Sequence, residues 1–225
     1  MDGLDPTHNT VILTSTDGFH WSSVSDVFTN ASLTGVARGN SQWLAVGRQD
    51  LGLQTYGLIL TSTDGSTWTQ LTGFLNMPLT GIAWSDGKWV AVGIHSGINN
   101  NESVILISTD GSAWTPSFYS GVFLSGVAGV GGIAKNSSQW VAVGSDLDGD
   151  SVILVSNDDG GHWGRVENTP EDTTLNDVVW SGSQWVVVGQ NNEGYSVILT
   201  STDGATWNIA SSGSQPASAL FGVGV

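Results

Sequence analysis

Short apolar runs recur along the chain, each closed by Gly, Asn, Ser or Asp, and none carries the three-to-four-residue spacing of a helix. The clearest is Val104-Ile-Leu-Ile-Ser-Thr-Asp-Gly-Ser-Ala-Trp114: an apolar strand, a tight polar turn and a tryptophan. It recurs at 11–21, 58–68, 152–163 and 197–207, and the copies' aspartates (Asp17, Asp64, Asp110, Asp158 and Asp203) lie 47, 46, 48 and 45 residues apart. That period suits a repeat of four short strands. Between the turns sits a second repeating segment, Leu79-Thr-Gly-Ile-Ala-Trp-Ser-Asp-Gly-Lys-Trp-Val-Ala-Val-Gly93, with copies at 33–47, 132–144 and 175–189. Each copy reads as a hairpin, so one unit holds four strands, the last beginning at the motif tryptophan.

The strands are apolar on both faces, as expected when each small sheet is sandwiched between two neighbours. A β-propeller meets that need by closing the sheets into a ring. The fold class expected is all-β, one propeller domain over 1–225 with four-stranded antiparallel blades, five in number. Ala219 to Val225 aligns with Pro78 to Trp84, so the fifth blade is expected to combine a C-terminal first strand with N-terminal third and fourth strands. Its second strand is missing from the pattern. A longer array, a second chain in the gap, or a three-stranded blade would each account for this.

Ser156-Asn-Asp-Asp-Gly-Gly-His-Trp163 resembles the Asp-box turn of sialidases, sortilin-type receptors, some xyloglucan hydrolases and a photosystem assembly factor; the other copies, such as Ser62 to Trp68, are one residue shorter. The resemblance implies a sialidase-like propeller. It implies no single activity, because these families share the turn and not a chemistry. The five aspartates are read as structural, each carboxylate accepting turn N–H groups while Gly supplies the backbone and Trp packs beneath. His20 and His162 fall inside these turns and are expected to be exposed.

Charge sharpens the picture. Twenty acids face five bases, a net charge of −15, and cysteine is absent. So acidic a surface repels nucleic acid and anionic lipid, and no apolar run is long enough to span a membrane. Export or cell-surface display fits the Asn, Ser, Thr, Gly and Trp content, although Met1 to Pro6 has no signal-peptide character. The second-to-third and fourth-to-first connections are long and differ in every repeat, which marks their face for binding. Twelve of the 20 acids fall there.

Sialidases hold a substrate carboxylate with three arginines; here Arg38, Arg48 and Arg165 scatter over both faces. Glycoside hydrolysis needs paired carboxylates, and on the inner strands Asp177 stands alone, with glycine at the equivalent positions. The expected function is therefore non-enzymatic glycan recognition through Tyr56, Asn100, Tyr119, Asn192 and Tyr195, with Phe118 as a further stacking plane. A structural or protein-interaction scaffold, forming homo-oligomers through the incomplete blade, is the second reading, and a glycoside hydrolase the third. No cofactor is expected, apart from Ca²⁺ as a candidate for Asp146, Asp148 and Asp150, whose spacing departs from a helix-loop-helix calcium loop.

Overall fold

The computed structural model describes residues 10–24, 28–39, 41–71, 73–96, 101–120, 122–124, 133–136, 139–212, 220–221 and 223. They form nineteen strands and no helix. A two-stranded hairpin, β1 (Leu13–Thr14) and β2 (Ser22–Ser23), comes first. Blade 1 is β3 (Ala31–Arg38), β4 (Trp43–Leu51), β5 (Gln54–Ser62) and β6 (Thr69–Leu71). Blade 2 is β7 (Leu79–Ser85), β8 (Lys88–Ser96), β9 (Asn101–Ser108) and β10 (Thr115–Ser120). Blade 3 is β11 (Val122–Phe123), β12 (Ile133–Lys135), β13 (Trp140–Asp146), β14 (Ser151–Ser156) and β15 (Gly164–Arg165). Blade 4 is β16 (Thr173–Trp180), β17 (Trp185–Asn191), β18 (Ser196–Ser201) and β19 (Asn208–Ser212). Blades 1, 2 and 4 are antiparallel meanders in chain order, and blade 3 departs from this only in its first strand.

The first strand of a blade carries a bulge one residue after its leucine, between Leu33 and Gly35, Leu79 and Gly81, and Leu175 and Asp177. Opposite each bulge stands a glycine within the second strand. A Cβ on Gly47 would lie 2.0 Å from the Ser32 carbonyl oxygen, one on Gly93 2.3 Å from that of Pro78, and one on Gly189 2.2 Å from that of Thr174. The recurring glycine is thus a steric requirement of the bulge. In blade 3 the first strand is split: β11 and β12 both pair with β13. Leu124 stands sixteen residues before Trp140, whereas Leu79 stands ten before Trp89, so an insertion interrupts this copy.

Alternation along each strand sends its two apolar faces into different cores. Leu44 and Val46 of β4 pack with Trp89, Ala91 and Leu106 of blade 2, while Ala45 turns towards Leu58, Leu60 and Trp68. Val90 and Val92 pack against Trp140 and Leu154 of blade 3, and Val141 and Val143 against Trp185 and Leu199 of blade 4. The cores lie between blades, which is why the strands read as unbroken apolar runs.

Blade-to-blade stitching repeats as well. Thr34 Oγ1 donates to the Leu79 carbonyl at 2.9 Å, Thr80 Oγ1 to that of Leu124 at 3.2 Å, and Asn176 Nδ2 to that of Leu220 at 2.7 Å. Leu220 therefore stands beside β16 as a next first strand would. However, no described residue pairs that segment with β1, so the expected fifth blade joining the two ends is not formed among the described residues.

Candidate ligand-binding face

The repeated turns share one hydrogen-bond pattern. In blade 1, Asp64 Oδ1 accepts the N–H groups of Ser66 and Thr67, both at 2.7 Å; Ser62 Oγ accepts the Gly65 N–H at 2.8 Å; and Trp68 Nε1 donates to the Gly65 carbonyl at 3.1 Å. Gly65 has φ +75°, a conformation glycine adopts freely. The pattern recurs around Asp17, Asp110, Asp158 and Asp203. These bonds favour the ionised form: the Thr67 and Ser66 N–H groups bring the Asp64 carboxyl down to about 2. Asp17 and Asp158 are held lower still, first by the backbone N–H and then by the rings of His20 and His162. Those rings lie 2.6 and 2.5 Å from the carboxylates and are almost fully exposed. All five carboxylates accept N–H groups of their own turns through Oδ1.

The turns also latch adjacent blades. The residue before the second-strand tryptophan reaches the next blade's turn: Gln42 Nε2 to the Asp110 carbonyl at 2.8 Å, Lys88 Nζ to that of Asp159 at 3.1 Å, and Gln139 Nε2 to that of Asp203 at 3.0 Å. Nearby, Arg38 lies over the Trp43 ring at 5.2 Å, Trp84 packs on Trp89 at 4.7 Å, and Trp180 meets Trp185 edge-on at 5.1 Å. Each partner is the tryptophan of the same blade.

On the opposite face, the first of the expected long loops is strand almost to its tip. The segment Arg48 to Tyr56 is a continuous ladder to Leu51–Gln54, closed by Gly52 and Leu53. Tyr56 is half-buried, and its hydroxyl donates to Gln54 Oε1 at 2.9 Å. Asn192 is exposed and Tyr195 half-buried at the tip of blade 4. Tyr119 differs: it packs against the core between blades 2 and 3 and its hydroxyl reaches the Trp163 backbone, while burial, followed by the Asp158 charge, raises its pKa. Like Tyr56 and Tyr195 it is half-buried, with part of its ring given to the core. Asn100 lies outside the described residues.

Asp146, Asp148 and Asp150 form a turn and no ligand cluster. Asp146 Oδ1 accepts the Asp148 and Asp150 N–H groups at 3.1 and 3.0 Å, and its Oδ2 meets Arg165 NH2 at 2.7 Å. Burial pushes this carboxyl up, but the Arg165 and backbone hydrogen bonds outweigh it and lower the pKa. Asp150 Oδ1 is taken by the Asp172 N–H. Blade 4 builds the same turn with an amide, Asn191 Oδ1 accepting from Glu193 and Tyr195. The acid at 146 thus serves the backbone, and among the described residues no three metal-ligating side chains converge.

The strand register assembles two groups whose members the sequence shows only singly. His95, Glu102, Phe118 and Ser120 meet at the tip of blade 2: Ser120 Oγ donates to Glu102 Oε1 at 2.7 Å, and the His95 and Phe118 rings lie 5.0 Å apart. The strand register, Glu102 opposite both His95 and Ser120, brings them together. The other is Asp177, whose Oδ1 accepts the Val178 N–H and whose Oδ2 accepts that of Val223 at 3.0 Å, so that with Asn176 it clamps the C-terminal segment. Burial raises its pKa above the ordinary carboxylate value.

No protein-family model matches the chain, and no curated protein matches it in sequence. Among solved structures it is similar to a Trypanosoma rangeli sialidase in complex with 2,3-difluorosialic acid, at 13% identity and a TM-score of 0.58, over 93% of this chain and 43% of that one. It is similar to the endosialidase of phage phi92 at 11% identity and 0.57, over 75% and 33%, and to YjhT at 12% and 0.55, over 89% and 71%. At such identities the likeness is one of fold: a sialidase-like β-propeller. The chain spans less than half the length of the sialidase.

Proposed function

We propose that this chain is a non-catalytic member of the Asp-box propellers and recognises carbohydrate on the face of the long connections. The observation carrying the reading is the tip of blade 4, where the Asn191 turn holds Asn192 exposed beside the half-open ring of Tyr195. Amide groups that bond sugar hydroxyls next to an aromatic plane are the elements of a saccharide site. Tyr56 repeats the arrangement on blade 1 beside Gln54, and the carbohydrate-active propellers of like fold support the class of ligand. Secretion or surface display accords with it.

Retention on a glycan array is the test. Tyr195→Ala with Asn192→Ala should abolish retention and leave thermal melting unchanged; retention that survives the pair moves the site elsewhere.

A glycosidase is the second reading, and one feature favours it: Asp177 is a largely buried inner-strand carboxyl with a raised pKa, the mark of a general acid. Against it, both Asp177 oxygens accept backbone N–H groups, and Gly35 and Gly81 hold the equivalent places in blades 1 and 2. Turnover of a chromogenic glycoside that Asp177→Asn removes would establish the enzyme.

A further inference from the structure

Between the β1–β2 hairpin and blade 1 lies a cavity of about 740 Å³. Its walls are Val11–Thr16 with Trp21 on the hairpin side, and Leu33–Val36 with Arg38 and Trp43 on the blade side. At the other blade boundaries the first and second strands of the preceding blade cover this surface. Here the described residues of the hairpin supply only two strands, and Trp21 and Val36 stay 59% and 60% exposed.

The lining has a definite chemistry. Among the described bases, Arg48 faces Asp50 at 3.7 Å, Lys88 meets Asp159 at 2.7 Å and Arg165 meets Asp146 at 2.7 Å. Arg38 has no carboxylate partner among the described residues; it rests on the Trp43 ring, and its N–H donors are open to a ligand. Trp21 contributes an indole, and Thr14, Thr16 and Thr63 are among the lining residues. The nearby Asp64 carboxylate accepts the Ser66 and Thr67 N–H groups through Oδ1.

We propose that this cavity is a saccharide site. It takes a neutral sugar of one or two rings, stacked on Trp21 with its hydroxyls bonded to Arg38 and the threonines. Neutral sugars are favoured because a chain of net charge −15 repels anionic ones. The inference rests on the carbohydrate reading above but places a separate site beside the turn of blade 1.

The test is titration with a panel of neutral methyl glycosides (glucose, galactose, mannose and N-acetylglucosamine), followed through the indole N–H resonances. At least one should shift the Trp21 and Trp43 signals saturably. Arg38→Ala should weaken that binding roughly tenfold, the loss of about one good hydrogen bond to a charged group. Because Trp21→Ala could loosen the hairpin, Val36→Trp is the decisive variant: it fills the cavity from an exposed position and should abolish the shifts at an unchanged melting temperature. Silence of these resonances across the panel overturns the proposal, as does binding that survives Val36→Trp. So does light scattering that finds a dimer which Val36→Trp dissociates, since a second copy would then own the surface. Array retention lost in the Tyr195→Ala, Asn192→Ala pair, with the Trp21 signal unmoved, overturns the cavity site and leaves the loop-face site standing. Array retention that survives that pair, with saturable Trp21 shifts, overturns the loop-face site and leaves the cavity site standing.

Discussion

At the scale of the residue, the turn aspartates and the bulge-facing glycines do work that no neighbour can take over. A carboxyl whose folded pKa lies below its unfolded value contributes stability that is present above the unfolded pKa and lost as pH falls through the folded one. Asp64 moves from 3.8 to about 2, and its four counterparts move the same way. Their joint contribution should hold the melting temperature steady above the ordinary carboxylate range and let it fall as pH drops from about 4 towards 2. Thermal melts across that window check this, and Asp64→Asn should shallow the acid limb. Asp177 runs the other way: with its pKa raised, it favours the fold when protonated and loses that contribution as pH rises through the folded value. At Gly47 the limit is steric, since an added Cβ would lie 2.0 Å from a backbone oxygen. Gly47→Ala should cost about 2–4 kcal/mol in denaturant unfolding. Gly52→Ala, with nothing near its Cβ but φ +69°, should cost only about 1 kcal/mol.

At the scale of the element, each blade is a meander whose neighbours finish it. The latch from the second strand to the next turn joins residues far apart in sequence, as Gln42 and Asp110 do. Gln42→Ala should lower stability by about 0.5–1.5 kcal/mol, the worth of one exposed hydrogen bond. Gln184, the same position in blade 4, has no latch partner among the described residues, and Gln184→Ala should fall within about 0.5 kcal/mol. Equal losses in the two unfolding curves would show that the next turn is present for Gln184 too. The split first strand of blade 3 shows how far the repeat bends: six added residues leave Leu124 where Thr80 still finds its carbonyl.

At the scale of the whole molecule, stability is shared between blades. Trp89 is fully buried with Leu44 and Val46 of blade 1 while belonging to blade 2. Trp89→Ala should therefore remove about 3–5 kcal/mol, and calorimetry should show both blades losing stability together. Two separate transitions, with one unaltered, would contradict a shared core.

The sequence by itself determined the repeat, the four strands per unit, their order and the structural part of the aspartates. All of these rest on contacts made within a few residues, or on a period that a linear string displays. It also carried the latch in plain view, as Gln42, Lys88 and Gln139 before their tryptophans, without saying what they reach. Only the tertiary structure decided what depends on the direction of a side chain. Tyr119 and Tyr195 look alike in the string, yet one turns into the core between blades and the other stays at a tip. Asp146 is one acid among three in the string, and only the structure brings Arg165 and two N–H groups to it. The cavity beside Trp21 could not be read at all. Its walls come from segments about twenty to fifty residues apart, and the space between them follows from which strands stand in the first sheet.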